Sequence, residues 1–132
     1  MGTGPLIEEA LSKSVIGAFY DVYNDLGYGF MESTYAQALE RELKSRGHTV
    51  QREVSVRVYY KGEYLRSQRL DMLVDARLII ENKAGAELPR HATRQLFSYL
   101  HGTTLEIGLV LHFGPEPRFH AVVCKNDQKG FH

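Results

Sequence analysis

The sequence predicts an α/β protein built on a mixed sheet, and three observations carry that prediction. Apolar spacing is helical at first, alternates as in strands through the middle, turns helical again, and ends in two further strand-like runs. Leu78-Ile79-Ile80 is apolar at successive positions, as a strand covered on both faces requires. The connection from Lys83 to Ile107 contains a helical segment, and a helix-bearing crossover of that length joins parallel strands.

Each element has a local reason. Over residues 5–26, Ile7, Leu11, Val15, Phe19, Val22 and Leu26 recur at three- and four-residue steps, with Pro5 suited to the first turn and Gly27 to the stop. A second helix is expected over 31–46, its buried stripe being Tyr35, Ala38, Leu39 and Leu43 and its stop Gly47. Val50, Val54, Val56, Val58 and Tyr60 fall on even positions of a strand over 50–60, and Lys61-Gly62-Glu63 turns the chain into a second strand over 64–74. Asp75-Ala76 separates that strand from a third over 77–83. Leu88, Ala92, Leu96, Tyr99 and Leu100 predict a helix over 88–100 stopped by Gly102, and strands follow over 107–113 and 119–124.

With 132 residues, 43% apolar and 24% charged, the chain reads as a single domain over 1–132, with mobile tails at 1–4 and 126–132. No window approaches the roughly 18 apolar residues of a membrane span. Residues 1–5 lack the pattern of a signal peptide, and Leu6 stands where a myristoylation motif wants Ser or Thr. The lone Cys124 can form neither an internal disulfide nor a cysteine-based zinc site, which fits the cytoplasm and a buried strand position. Sixteen basic residues balance sixteen acidic ones, which argues against a uniformly basic nucleic-acid binder, but nine of the basic residues lie within 52–94 against six acids.

The chemistry concentrates in that middle segment. Asp71 lies within Leu70-Asp71-Met72-Leu73-Val74, and a carboxylate among apolar neighbours needs a cation or donors. Glu81 and Lys83, two apart on a strand, share a face. The Asp75-Ala76 turn sets Asp71 opposite either residue 80 or residue 81; the second register places two carboxylates side by side, an arrangement that a divalent cation such as Mg²⁺ relieves. Taken singly, each residue also has a plain structural reading, Glu81 and Lys83 as an exposed ion pair and Asp71 as a backbone acceptor. His91, Gln95 and Tyr99 form a polar stripe on the helix that covers the Glu81 strand. Glu32 opens the second helix, where the helix dipole favours an acid in any case.

Gly29-Phe30-Met31-Glu32-Ser33-Thr34-Tyr35 reads G-x-x-E-x-x-Y. With Asp71, Glu81-Asn82-Lys83 and Gln95-Leu96-Phe97-Ser98-Tyr99, it resembles the GxxExxY protein family, which is placed in the PD-(D/E)xK nuclease superfamily. The resemblance runs from about residue 7 to residue 124. It implies a restriction-endonuclease-like αβββαβ core, carrying here an extra N-terminal helix and a C-terminal strand. It implies catalytic roles for Glu32, Asp71, Glu81, Lys83, Gln95 and Tyr99, with Mg²⁺ or Mn²⁺ held by Asp71, Glu81 and Glu32, water oriented or activated by Lys83, and Gln95 and Tyr99 forming the Q-x-x-x-Y helix motif. Leu70 departs from the pattern, standing where a proline is usual.

The expected function is therefore metal-dependent hydrolysis of nucleic-acid phosphodiesters, DNA being the favoured polymer, with Arg69, Arg90 and Arg94 holding flanking phosphates. The alternative is a non-catalytic module of the same fold that binds nucleic acid or a protein. A homodimer or a protein partner is expected for so small a domain. Glu32, Asp71, Glu81 and Lys83 should converge on one pocket at the edge of the sheet, roofed by the helix bearing Gln95.

Overall fold

The structure is a computed structural model that describes residues 8–130. Helices α1 (Glu9–Leu26) and α2 (Glu32–Ser45) precede strands β1 (Val50–Tyr60), β2 (Glu63–Val74) and β3 (Leu78–Ala84). Helix α3 (Ala92–His101) then leads to β4 (Ile107–Phe113), β5 (Pro117–Val123) and a 3₁₀ turn, Asn126–Gln128. The sheet order is β1-β2-β3-β4-β5, antiparallel throughout except for the parallel β3–β4 pair that α3 bridges. The expected mixed sheet is thus present, and β3 is buried from Leu78 to Asn82. The expected start of the first helix at Pro5 lies outside the described residues. Among the described residues no helix is long and apolar enough to cross a membrane.

Two apolar layers flank the sheet. On one face α1 and α2 set Val15, Phe19, Leu39 and Leu43 against Met72, Leu78, Ile80, Leu109 and Leu111. On the other, Leu96, Tyr99 and Leu100 of α3 cover Leu70, Ile79 and Val110. The approach of α3 to β4 is close: a Cβ at Gly108 would stand 2.7 Å from the Leu96 side chain, which is itself fully buried. Glycine there is a packing requirement.

Three expectations are corrected. Helix α3 begins at Ala92 rather than Leu88, because the segment before it closes a turn, with Ala92 N–H donating to the Pro89 carbonyl at 3.1 Å. Cys124 is buried but lies one residue past β5, its N–H bound to the Glu106 carbonyl. Residues 126–130, expected within a mobile tail, dock instead: Lys129 is 4% exposed, and its Nζ donates to the carbonyls of Thr103 and Leu105 and to Asn126 Oδ1 at 2.6–2.8 Å. A lysine in this sequence context reads as a solvated charge, and only its reach onto the α3–β4 connection reveals the dock.

The even-numbered pattern of β1 also conceals a change of face. The pairs Arg52↔Met72 and Val54↔Leu70 would bring Glu53 opposite Asp71, but the ladder skips that pair and Glu53 adopts φ 55°. Val50 packs toward α1 and α2, whereas Val54 and Val56 pack toward α3. On β2, Met72 and Leu70 divide in the same way. Asp71 therefore sits where the β1–β2 ribbon rolls over.

At the other end of β2, His48 joins three elements. Its Nδ1 lies 2.7 Å from Asp75 Oδ2 and its Nε2 lies 2.7 Å from Ser14 Oγ, while Asp75 Oδ1 accepts from the Thr49 N–H and hydroxyl. The residue types match a hydrolytic triad, but Ser14 lies inside α1, whose backbone N–H groups are consumed by the helix and cannot stabilise an oxyanion. This network ties α1 to the β2–β3 turn.

Candidate active site

A three-residue turn, Asp75-Ala76-Arg77, fixes the β2–β3 register as Met72↔Ile80, Leu73↔Ile79 and Val74↔Leu78. Of the two registers open from sequence, this one carries Asp71 to Glu81. The ladder ends at Met72, and the Asp71 side chain takes over: its Oδ2 accepts the Asn82 N–H at 2.9 Å, part-buried between the diverging strands. Glu81 is 7% exposed. Burial first, then the Asp71 charge, push its carboxyl up to about 7; Lys83 and a backbone N–H of Asp71 pull the other way, and Glu32 adds a weaker upward push. Glu81 thus holds a labile proton near neutrality.

Lys83 follows two residues on, on the Glu81 face and half-buried. From α3, Tyr99 reaches the same group, 7% exposed. Burial and then the Glu81 charge raise its phenol above the ordinary value, with a hydrogen bond from Gln95 and the Arg66 charge opposing and the Asp71 charge reinforcing. At neutral pH the Tyr99 hydroxyl is therefore a proton donor facing carboxylates. Gln95 is half-buried beside it, one turn earlier.

Asp71, Glu81, Lys83, Gln95 and Tyr99 accordingly share one region, whereas Glu32 stands at its margin. Glu32 is exposed in the first turn of α2. Tyr35 sets that turn: its ring stacks on Phe113 with centroids 4.2 Å apart, and its hydroxyl donates to the Gly27 carbonyl and accepts the Phe30 N–H. The tyrosine of G-x-x-E-x-x-Y is thus a clamp on the loop that presents the glutamate. Among the described residues no three His, Cys, Asp or Glu side chains lie close enough to cage a cation, so the convergence of Glu32 with Asp71 and Glu81 is not seen. Nor is the site a pocket at the sheet edge, because Asp71 and Glu81 lie on inner strands where β2 and β3 part. A cleft of about 820 Å³ lies elsewhere, between α1 and α2, and is lined by Asp21, Asp25, Gln37 and Arg41 among others.

Arg90 and Arg94 are exposed around the start of α3. Arg69 is exposed opposite Ser55, on the ribbon face away from Leu70 and α3. The ribbon arginine whose charge Tyr99 feels is Arg66, exposed opposite Val58. Alternation counted from Asp71 puts Arg66 on the wrong face, because the ribbon rolls between them. Asn82 was also missed; its N–H is the donor that holds Asp71, and its side chain is fully buried.

A family model of the PD-(D/E)XK nuclease superfamily matches residues 9–122. The chain belongs to that superfamily. Among solved structures, this PD-(D/E)XK protein is similar to one titled "Crystal structure of SSO0001", at 19% identity and a TM-score of 0.52. That likeness covers 92% of this chain and 61% of the other, so the chain spans about three fifths of the protein it matches. No curated protein matches the chain. The PD-(D/E)XK nucleases generally use divalent metals. The donors here fit one: two hard carboxylates, one of them buried, sit side by side with a single lysine nearby, a charge imbalance that a divalent cation would relieve.

Proposed function

We propose that this domain is a metal-dependent phosphodiesterase acting on nucleic acid, DNA being the favoured polymer, and that its metal is Mg²⁺ or Mn²⁺. The observation that carries this reading is the Asp71–Glu81 juxtaposition, in which burial and mutual charge hold a carboxyl up to about 7. A structural ion pair has no use for that arrangement. Asp71 and Glu81 would hold the cation, with Glu32 contributing from the margin once the polymer is bound. The cation would supply electrophilic polarisation of the phosphate and ease loss of a proton from water.

The remaining steps belong to the chain. Lys83 orients the attacking water and neutralises charge that builds on the phosphoryl oxygens. Tyr99, kept protonated by its surroundings, donates to a phosphate oxygen, and Gln95 fixes the phenol by hydrogen bonding to it. Arg90 and Arg94 hold flanking phosphates. The G-x-x-E-x-x-Y motif, with Tyr35 clamping its loop, supports placement in the GxxExxY family. The single buried Cys124 is compatible with a cytoplasmic location, and residues 1–132 are read as one domain that works as a homodimer or with a partner. Incubation with labelled DNA and RNA in Mg²⁺, Mn²⁺ or EDTA tests the function. Cleavage should require metal and fall steeply with salt; metal-independent cleavage, or none on any substrate, sinks the reading in favour of a binding module.

A further inference from the structure

Beyond the site, β1 and β2 run on as a two-stranded arm. Strand β3 pairs with β2 only at residues 72–74, so from Leu70 outward the ribbon has no third strand. Its tip is a two-residue turn in which Lys61 and Gly62 take φ 51° and 80°, the left-handed pair that suits the twist of a hairpin. Tyr59, Tyr60, Tyr64 and Leu65 are each between 56% and 61% exposed. Two-stranded ribbons gain little stability from such residues, and large apolar groups gathered in water mark a contact surface.

The charge around them points to the occupant. Within residues 52–69 there are five basic side chains, Arg52, Arg57, Lys61, Arg66 and Arg69, against Glu53 and Glu63, in a chain whose net charge is zero. Arg52 is paired with Glu40; among the described residues the other four make no ion pair. Aromatic rings and free cations are interleaved: the Arg57 guanidinium lies 5.5 Å from the Tyr64 ring centre, Lys61 Nζ lies 5.4 Å from that of Tyr60, and the Tyr59 and Tyr64 rings meet edge to face at 6.3 Å. Ring faces can stack only on bases that are not already stacked and paired, and the combination of a basic track with aromatic platforms is how unpaired strands are held.

We propose that this arm binds single-stranded nucleic acid, its bases stacking on Tyr59 and Tyr64 and its phosphates held by Arg57 and Lys61, on the ribbon face turned away from α3. The inference rests on the nuclease reading for its choice of polymer, but its test does not depend on cleavage. Fluorescence anisotropy in EDTA compares fluorescein-labelled oligo(dT), oligo(rU) and a blunt duplex. Wild type should bind a single strand more tightly than the duplex, with the two homopolymers showing which sugar is preferred. Tyr59→Ala with Tyr64→Ala should weaken single-strand binding about tenfold or more, while Tyr59→Phe with Tyr64→Phe, which keeps the ring faces, should bind like wild type. Replacing Arg57 and Lys61 by Ala should shrink the single-strand salt slope by about 0.7 for each phosphate that is no longer neutralised.

Equal affinity for duplex, or alanine variants that bind as wild type does, would overturn the arm's role. So would alanine variants that change the sedimentation of the protein but not its oligonucleotide affinity, since the tyrosines would then be a self-association surface. Binding that survives in a protein that cleaves nothing rejects the nuclease reading and keeps the arm. Cleavage with no effect of the tyrosines does the reverse.

Discussion

Two acid-centred clusters lie at opposite ends of the inner half of β2, and they are built in opposite ways. Asp75 is surrounded by donors: burial works against its charge, but hydrogen bonds from His48 and Thr49 outweigh it and leave the carboxyl below its ordinary 3.8. Glu81 is buried beside another acid, and although Lys83 and the Asp71 N–H offset part of the rise, its carboxyl stands at about 7. A carboxylate that is fully served by donors contributes to folding. One that is buried beside a like charge costs folding free energy, and the cost is relieved only by something from outside the chain. The pairing of residue types alone does not make this distinction, since the Asp75 cluster has the more familiar catalytic composition.

The comparison is broken most directly by turnover. Asp71→Asn and Lys83→Met should each reduce metal-dependent cleavage about a thousandfold, whereas Asp75→Asn, assayed well below its melting temperature, should cleave like wild type. Equal losses in all three would place both clusters in the catalytic machinery.

Stability comes next, because the two acids give opposite pH slopes. A carboxyl whose pKa is higher in the folded chain than in the unfolded one binds its proton more tightly when folded. The Glu81 contribution is therefore most favourable below its ordinary 4.5 and is lost as pH rises through about 7, a change on the order of 3 kcal/mol. Denaturant melts without metal should show Glu81→Gln abolishing most of that fall and exceeding wild type in stability at pH 8. The Asp75 contribution is present above 3.8 and is lost as pH falls through its lower folded value. A divalent ion at about a hundred times its Kd should restore about 2.7 kcal/mol to wild type at pH 8 and nothing to Glu81→Gln, read as a shift in melting temperature. The smallest effect is on the satisfied side: His48→Ala leaves Ser14 and Asp75 each short of a partner and should cost about 1–2 kcal/mol, with no change in the metal-induced shift.

Much of this was legible in the sequence because it follows from period and spacing. The helix between Lys83 and Ile107 announced the parallel β3–β4 pair, and the shortness of the Asp75-Ala76 segment limited Asp71 to two partners, of which Glu81 was one. The roll at Glu53 was not legible. Val50, Val54 and Val56 keep an unbroken even spacing while the backbone between them changes face, and a left-handed glutamate carries no compositional mark as a glycine would. That roll is why Arg66 went unnoticed beside Tyr99 and why Arg69 points elsewhere. Glu32 was correctly read as the opening of a helix, but its distance from Asp71 depends on how α2 lies on the sheet, which spacing within either segment does not specify.

The parallel strand pair also orders events in time. Neighbours β1–β2, β2–β3 and β4–β5 are joined by two or three residues each, whereas residues 85–106 must be threaded before β3 meets β4. Loop closure makes that pairing the slowest to nucleate, so the local hairpins form first. In a β2–β3 hairpin without α3, Asp71 and Glu81 are still wet and their repulsion is screened. Glu81 loses its water only when α3 and β4 close over the sheet, so the proton it takes up near neutrality is taken up in the last act of folding.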